Sequence, residues 1–245
     1  METIQQELEQ FIDEEKREVL PRFFKTGKGQ YGEGDRFLGI TVPHIRTVAM
    51  RHLDLNPDEI SRLLMSVWHE LRMCALLIMV EQVKRSHKKL WLKEHSEEEG
   101  EILRRNYYQF YLRHTGKINN WDLVDLSAPT IVGEYLVDHD REILYQLADS
   151  SLLWDQRIAV VSTIALIRRN DFTDIYALSE KLMHHPHDLM HKAIGWMLRE
   201  AGKKDKPRLM DFLDIHSCEM PRTMLRYAIE KFPENERQYY LHRSK

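Results

Sequence analysis

The stretch INNWDLVDLSAP, Ile118–Pro129, has the pattern of a short helix with one residue out of keeping with a buried face. Asn119 or Asn120 can cap this helix, because a short polar side chain accepts from the free N–H groups of the first turn. Trp121 and Asp125 then lie one turn apart on a face that is otherwise apolar. A lone buried carboxylate is costly. Two interpretations follow: a packed Trp beside an ion-paired Asp, or a cleft that both residues line.

Outward from this stretch, the chain repeats the same kind of segment. Apolar residues recur at helical spacing, and no segment alternates with a period of two. The pairs Ile158-Ala159, Ala193-Ile194 and Ala228-Ile229 sit mid-helix about 35 residues apart. Helix pairs at this period must stack to bury their apolar faces. The sequence predicts an all-α superhelix of HEAT-like or armadillo type with a concave face, as a single domain over residues 1–245. An irregular helical bundle is the alternative.

Several helix boundaries are predicted from glycines, prolines and capping residues. Residues 2–20 are predicted to form a single amphipathic helix, followed by a loop over residues 21–40 that holds five of the ten glycines. Pro129 is expected to end or kink the helix of the opening stretch, because proline lacks a backbone N–H. Residues 154–169 are predicted as another continuous helix.

Composition excludes several classes of protein. The chain has 245 residues and a net charge of −3, so the molecule as a whole is not a basic nucleic-acid binder. Cys74 and Cys218 lie in apolar helical contexts, as expected for reduced thiols in the cytoplasm. The acidic start METIQQELEQ does not have the pattern of a signal peptide. No apolar run is long enough to span a bilayer, so no membrane association is expected.

Basic residues nevertheless cluster at the ends of predicted helices. The clusters are Lys84-Arg85 with Lys88-Lys89, Arg113-His114 with Lys117, Arg168-Arg169, and Arg199 with Lys203, Lys204, Lys206 and Arg208. Equivalent helix ends of a solenoid lie along one edge, where cations can follow a phosphate backbone. The alternative is that each cluster complements the negative end of its own helix dipole.

Trp196 stands apart from the apolar stripe of its helix. It lies on the polar face with Lys192, Gly195 and Arg199. An aromatic ring there can stack on a base, a sugar or a cationic ligand. The alternative is that a neighbouring repeat covers it.

Arg157 lies at the start of a predicted helix, where a cation opposes the helix dipole. It therefore needs an anionic partner, either a carboxylate such as Asp125 or a phosphate, since the guanidinium group suits both. An internal ion pair is the simpler interpretation.

Two further motifs are not taken as functional sites of their usual kind. Gly27–Gly32 matches G-x-G-x-x-G, but no preceding strand is predicted, so the segment is not expected to bind a dinucleotide. Its Lys28 and Tyr31 are instead expected to approach nucleic acid. His187–His191 is close to H-E-x-x-H but lacks a third ligand, so no catalytic metal is expected.

Four segments together resemble the AlkD-type alkylpurine DNA glycosylases, a HEAT-like-repeat family of DNA alkylation repair proteins. They are FLGITVPHIRTVA (Phe37–Ala49), NWDLVDLSAPTIVG (Asn120–Gly133), WDQRIAVVSTIALI (Trp154–Ile167) and HKAIGWMLREAGK (His191–Lys203). The segments occur in order along nearly the whole chain. The W-D-x-x-D core is the most specific of them.

The resemblance implies a set of catalytic residues and a reaction. The family's Trp–Asp pair falls on Trp121 and Asp125, its Arg on Arg157 and its second Trp on Trp196. The implied reaction is hydrolysis of the N-glycosidic bond of cationic N3- or N7-alkylated purines in double-stranded DNA, without base flipping. Asp125 would stabilise the oxocarbenium-like sugar or position water. The Trp rings would face the cationic nucleotide, and Arg157 would hold a phosphate or orient the site.

The resemblance also bears on partners. A monomer is expected, located in the cytoplasm and associated with the nucleoid when bound to DNA, without a metal or organic cofactor. The residues expected to contact DNA are Lys28, Tyr31, Lys84, Arg85, Lys117, Arg168, Arg169, Lys192, Arg199, Lys203 and Lys204. A non-catalytic module that binds damaged or branched DNA is the first alternative. A protein-binding solenoid is the second.

Overall fold

Helices form most of the computed structural model, which describes residues 2–243 apart from the side chain of Glu2. In chain order the helices are α1 Glu2–Glu9, α2 Glu14–Phe23, α3 Val42–Ala49, α4 Pro57–Leu64, α5 His69–Ser86, α6 Glu97–Arg113, α7 Trp121–Ala128, α8 Glu134–Leu136, α9 Glu142–Ala148, α10 Leu153–Ser162, α11 Ile164–Arg168, α12 Thr173–Lys181, α13 Asp188–Lys204, α14 Lys206–His216, α15 Arg222–Ala228 and α16 Glu234–His242. Short 3₁₀ helices lie at Trp91–Lys93 and Thr115–Lys117. Among the described residues, β structure is limited to an isolated bridge between Arg36 and Trp68. The all-α prediction is confirmed.

The chain divides into two compact units, Met1–Ile131 and Val132–Lys245. In the first unit, α5 is apolar around most of its circumference and is buried along most of its length, as a central helix must be. Helices α3, α4, α6 and α7 pack against it. In the second unit, α13 packs against α10, α12, α14 and α15. The single domain over residues 1–245 stays a prediction.

The repeat of about 35 residues is visible in the second unit. Helices α10, α13 and α15 begin at Leu153, Asp188 and Arg222, and α13 packs against both of the others. Ala159 and Ala193, the small residues of two predicted pairs, are fully buried within α10 and α13. The third pair, Ala228-Ile229, lies at the end of α15 and not mid-helix as predicted. Stacked helices at this period are the arrangement that the sequence predicts for a HEAT-like fold.

The prediction of one helix over residues 2–20 is wrong. Helix α1 ends at Glu9, and α2 begins at Glu14. The side chain of Asp13 accepts from the backbone N–H of Lys16 at 3.1 Å and caps α2. The second helix then continues through Pro21 to Phe23, so the predicted loop begins later than residue 21.

Two other predicted helices show local breaks. The predicted helix at residues 154–169 divides at Thr163, whose hydroxyl donates to the carbonyl of Val160 at 2.7 Å. Such a side-chain bond competes with the regular backbone ladder. Helix α7 ends at Ala128 and passes into a π-helical turn, Pro129–Gly133. Pro129 therefore ends α7, as predicted.

Across residues 2–243, none of the helices has both the length and the apolar character needed to cross a membrane.

Candidate functional site

Asn120 determines where α7 begins. It is fully buried, and its Oδ1 accepts from the backbone N–H of Trp121 at 2.9 Å. Its Nδ2 donates to Oδ2 of Asp35 at 3.4 Å, across 85 residues of sequence. Of the two predicted caps, Asn119 and Asn120, the structure uses Asn120. The Asn120 side chain thus links the start of α7 to the glycine-rich segment, residues 27–39, which contains Asp35.

Trp121 and Asp125 line one cleft in the first unit, and both are half-buried. The cleft has a volume of about 660 Å³ and a mainly apolar lining from α2, α3, α5 and α7, with Asp122 also on its wall. Val124, which shares the face in the sequence pattern, is fully buried. Of the two interpretations of the opening stretch, the structure thus supports a cleft lined by Trp and Asp.

The Trp121 ring packs against a stack of aromatic rings. The rings of Phe24 and Trp121 lie 5.5 Å apart between centroids at an interplanar angle of 22°. On its other side Phe24 stacks on Phe37 at 4.8 Å and 14°. Phe23 meets Trp121 edge-on at 6.2 Å and has 58% of its surface exposed. The stack fixes the plane of the Trp121 ring at the wall of the cleft.

A buried histidine lies next to this stack, between two carboxylates. His69, the first residue of α5, is 2% exposed. Its Nδ1 lies 2.8 Å from Oδ2 of Asp35, and its Nε2 lies 2.9 Å from Oδ2 of Asp122. Arg72, one turn along α5, donates to the other oxygen of Asp35. The cluster joins the glycine-rich segment, α5 and the first turn of α7.

The charges of this cluster stabilise one another. Burial acts to lower the pKa of His69, but the hydrogen bonds and charges of Asp122 and Asp35 outweigh it and raise the pKa to about 9. Burial likewise acts to raise the pKa of Asp35, but His69 and Arg72 outweigh it and the pKa is lowered. The imidazole is therefore protonated and Asp35 ionised at neutral pH.

The two carboxylates of α7 have different environments. Asp122 accepts from the backbone N–H of Leu123 at 2.8 Å through one oxygen, and the other oxygen faces His69. Both oxygens of Asp122 therefore have partners, and these contacts hold the start of α7 in place. Asp125 lies one turn further on, beside Trp121 along the wall of the cleft.

Sequence reasoning missed His69 and Asp35. They are 34 residues apart, and His69 is 53 residues from Asp122, so no local spacing links them. The available signal was a His-Glu pair at the start of a long apolar helix, where two titratable residues need buried partners. Glu70 is the second of that pair. Its carboxylate accepts from the backbone N–H groups of Leu38, Gly39 and Ile40 at 2.9 to 3.2 Å.

Arg157 and Trp196 lie in the second unit. Arg157 is in α10, only 4% exposed, and its Nη1 donates to the carbonyl of Leu189 at 2.7 Å. Leu189 is the second residue of α13, and Trp196 lies two turns further along that helix, half-buried. Gly195 is a packing position, because a Cβ there would approach the carbonyl of Met224 to 2.5 Å. The catalytic roles of Arg157 and Trp196 stay predictions.

The two motifs set aside in the sequence have structural roles. His187 caps α13, its Nδ1 accepting from the backbone N–H of Leu189 at 3.1 Å. His191 lies 2.6 Å through Nε2 from the carbonyl of His185. Burial lowers the pKa of both His185 and His187. The helix α2, not a strand, precedes Gly27–Gly32, which is the reason the dinucleotide motif does not apply.

The residues expected to contact DNA are mostly exposed, and the basic ones among them are mostly paired with acids. Lys28, Lys84, Arg85, Arg168, Arg169, Lys203 and Lys204 are exposed, whereas Tyr31, Lys117, Lys192 and Arg199 are half-buried. The recorded pairs are Lys84 with Glu81, Arg168 and Arg169 with Glu134, Lys192 with Asp188, Arg199 with Glu200 and Glu230, and Lys203 with Glu200. Such surface pairs are weak. Their cations can therefore exchange a carboxylate for a phosphate, and the DNA contacts stay predictions.

Comparison with known proteins identifies the chain's relatives. The model of the DNA alkylation repair enzyme family matches residues 4–232. A solved structure described as a predicted DNA alkylation repair enzyme from Enterococcus faecalis aligns over 90% of this chain and 96% of its own, with a TM-score of 0.65 and 16% identity. At that identity the likeness shows the fold, which is of the all-α HEAT-like class. None of the curated proteins compared matches this chain.

Proposed function

The chain belongs to the family of DNA alkylation repair enzymes, and from this premise we propose that it is a monofunctional DNA glycosylase. Its proposed substrate is an N3- or N7-alkylated purine in double-stranded DNA. Alkylation gives the base a positive charge, so the bond from its nitrogen to C1′ is already weak and the base needs no protonation to leave. The protein would act as a monomer and leave the base within the duplex.

The observation that carries this proposal is that Asp125 and Trp121 line the same mainly apolar cleft. When the glycosidic bond breaks, its electron pair leaves with the base and the sugar becomes an oxocarbenium-like cation. A carboxylate in a mainly apolar setting stabilises that cation more strongly than one in water. Water then adds to C1′, and Asp125 would accept its proton.

The remaining predicted residues would support this step. Trp121 and Trp196 would present their electron-rich faces to the positive charge of the nucleotide. Arg157 is buried and bonded to the carbonyl of Leu189. This environment favours a role in orienting α13 over direct capture of a phosphate.

The test is release of free base from alkylated duplex DNA. We expect the purified chain to release 3-methyladenine or 7-methylguanine, detected by chromatography. Asp125→Asn should lower the rate at least 100-fold, because it removes the charge that stabilises the transition state. Asp211→Asn, an exposed carboxylate on α14, is the matched control and should retain the wild-type rate.

Two outcomes would contradict the catalytic assignment. One is the absence of base release by the wild-type chain; the other is equal release by Asp125→Asn. If the chain releases no base but binds alkylated duplex in a salt-dependent way, it is instead a non-catalytic module that recognises damaged DNA.

A further inference from the structure

The proposed reaction makes no use of His69, although it is a deeply buried titratable group that lines the cleft. It is 2% exposed and lies between the carboxylates of Asp35 and Asp122. Its ring also stacks on Phe37, with centroids 4.5 Å apart and an interplanar angle of 24°. Asp35 and Phe37 belong to one segment, so the ring links that segment to the first turn of α7.

The hydrogen-bond geometry requires two donors on this ring. Both nitrogens lie within 2.9 Å of a carboxylate oxygen. A neutral imidazole has one N–H and one lone pair, so one of the two carboxylates would face a lone pair. The imidazolium form donates to both, which matches the two acceptors.

We propose that His69, as an imidazolium, is the positioning residue that fixes the first turn of α7 against the glycine-rich segment and so places Trp121 and Asp125. The link runs from Asp35 through His69 to Asp122, which stands beside Trp121 in the first turn of α7. Asn120 adds a second tie between the same two segments. The consequence for activity rests on the proposed function, whereas the consequence for geometry does not.

Other charged groups around the ring do not supply this link. Arg72 bonds Asp35 from the same helix as His69, and the carboxylate of Glu70 is held by backbone N–H groups of residues 38–40. Lys16 on α2 and Arg46 on α3 line the cleft together with Asp125. Loss of the His69 proton removes a donor between two carboxylates, so the first turn of α7 loses its link through His69 and keeps only the one through Asn120.

The direct test follows the position of Trp121 by ¹⁹F NMR of protein labelled with 5-fluorotryptophan. The chain has five Trp residues, and Trp121→Phe assigns the signal of interest. We expect the ¹⁹F signal of Trp121 in the wild type to shift with a midpoint near pH 9. The NMR signal of the His69 imidazole, recorded separately, should titrate over the same range, because the pKa of His69 is raised to about 9. The wild-type titration needs no variant that could fail to fold.

A variant gives the second arm. His69→Gln places a single amide nitrogen where two separated donors are needed, so the Trp121 signal should be displaced at pH 7 and should lose its alkaline transition. His52→Gln is the matched control, because His52 also pairs with a carboxylate, that of Glu7 at 2.9 Å, but lies beyond the end of α3 and does not line the cleft. It should leave both features of the Trp121 signal unchanged.

The proposal is overturned if the wild-type Trp121 signal does not titrate with His69, or if folded His69→Gln keeps the wild-type signal and transition. In the base-release assay we expect the rate to fall above pH 9 and at least tenfold in His69→Gln at pH 7, with the loss in kcat rather than KM. Absence of base release in every variant would refute the glycosylase and leave the ¹⁹F result to decide the role of His69.

Discussion

Asp122 and Asp125 carry the same side chain one turn apart on α7, and the proposed function gives them different tasks. Both line the cleft, yet Asp122 has its oxygens engaged by His69 and by a backbone N–H group. The sequence pattern identified Asp125 as the odd residue, because it lies on an apolar face at helical spacing. It did not identify His69 or Asp35, because partners tens of residues away leave no local signal.

At the same scale, the His69 cluster predicts how stability depends on pH. The folded-state pKa of His69, about 9, exceeds its ordinary value of 6.5, so the native state holds a proton that the unfolded state loses. The stabilisation is complete below about pH 6.5 and is lost as the pH rises to about 9, for a total on the order of 3 kcal/mol. Urea unfolding at each pH measures it.

The matched variants check the source of this pH dependence. His69→Gln should be less stable at pH 6.5 and should show a flatter profile over the window, whereas His52→Gln should keep the wild-type slope. A wild-type free energy of unfolding that stays constant or rises between pH 6.5 and 9 would contradict the assignment.

At the scale of elements, helices and breaks differ in how well local sequence determines them. The apolar stripe of the helix that contains Trp196 sufficed to predict α13, since that helix spans several turns. The breaks at Asp13 and Thr163 depend on one side-chain hydrogen bond each, so periodicity alone overlooked them. The start of α7 was predictable because asparagine is one of the residue types that commonly cap helices.

The tie between Glu70 and residues 38–40 makes a prediction about the first unit. Its carboxylate accepts from three backbone N–H groups and is 1% exposed. Glu70→Gln replaces one charged acceptor oxygen by a donor that faces these N–H groups. We expect a loss of about 2 to 3 kcal/mol in the free energy of unfolding, measured in urea. Glu81→Gln, whose partner is the exposed Lys84, should change it by less than about 1 kcal/mol.

For the whole molecule, a net charge of −3 means that DNA affinity must come from local groups of cations. The HEAT-like fold was predictable from the repeat of about 35 residues, because that period is set by the length of a helix pair. The sequence predicted that cations cluster at helix ends. It did not predict their ion pairs, because pairing depends on neighbours in the tertiary structure. Arg168 and Arg169, for example, share Glu134 from a helix outside their own.

These cations predict a salt-dependent affinity for duplex DNA. Each phosphate contact contributes about −0.9 to the slope of log K against log salt concentration. Arg168→Gln combined with Arg169→Gln should make that slope less steep by about 2 in fluorescence anisotropy titrations. Lys181→Gln, which breaks a surface pair with Asp149, should leave the slope unchanged. An unchanged slope in the double variant would exclude this pair from the DNA interface.

The cluster of Asp35, His69, Arg72 and Asp122 also constrains how this sequence can change over generations. Replacing one member strands the charge of another, which typically costs about 3 to 5 kcal/mol, whereas well-packed apolar substitutes for a whole buried ion cluster are often neutral. The four positions should therefore show strong epistasis, with joint replacement milder than the sum of single changes. An evolving lineage would have to exchange the cluster in compensated steps, and the first turn of α7 would inherit the outcome.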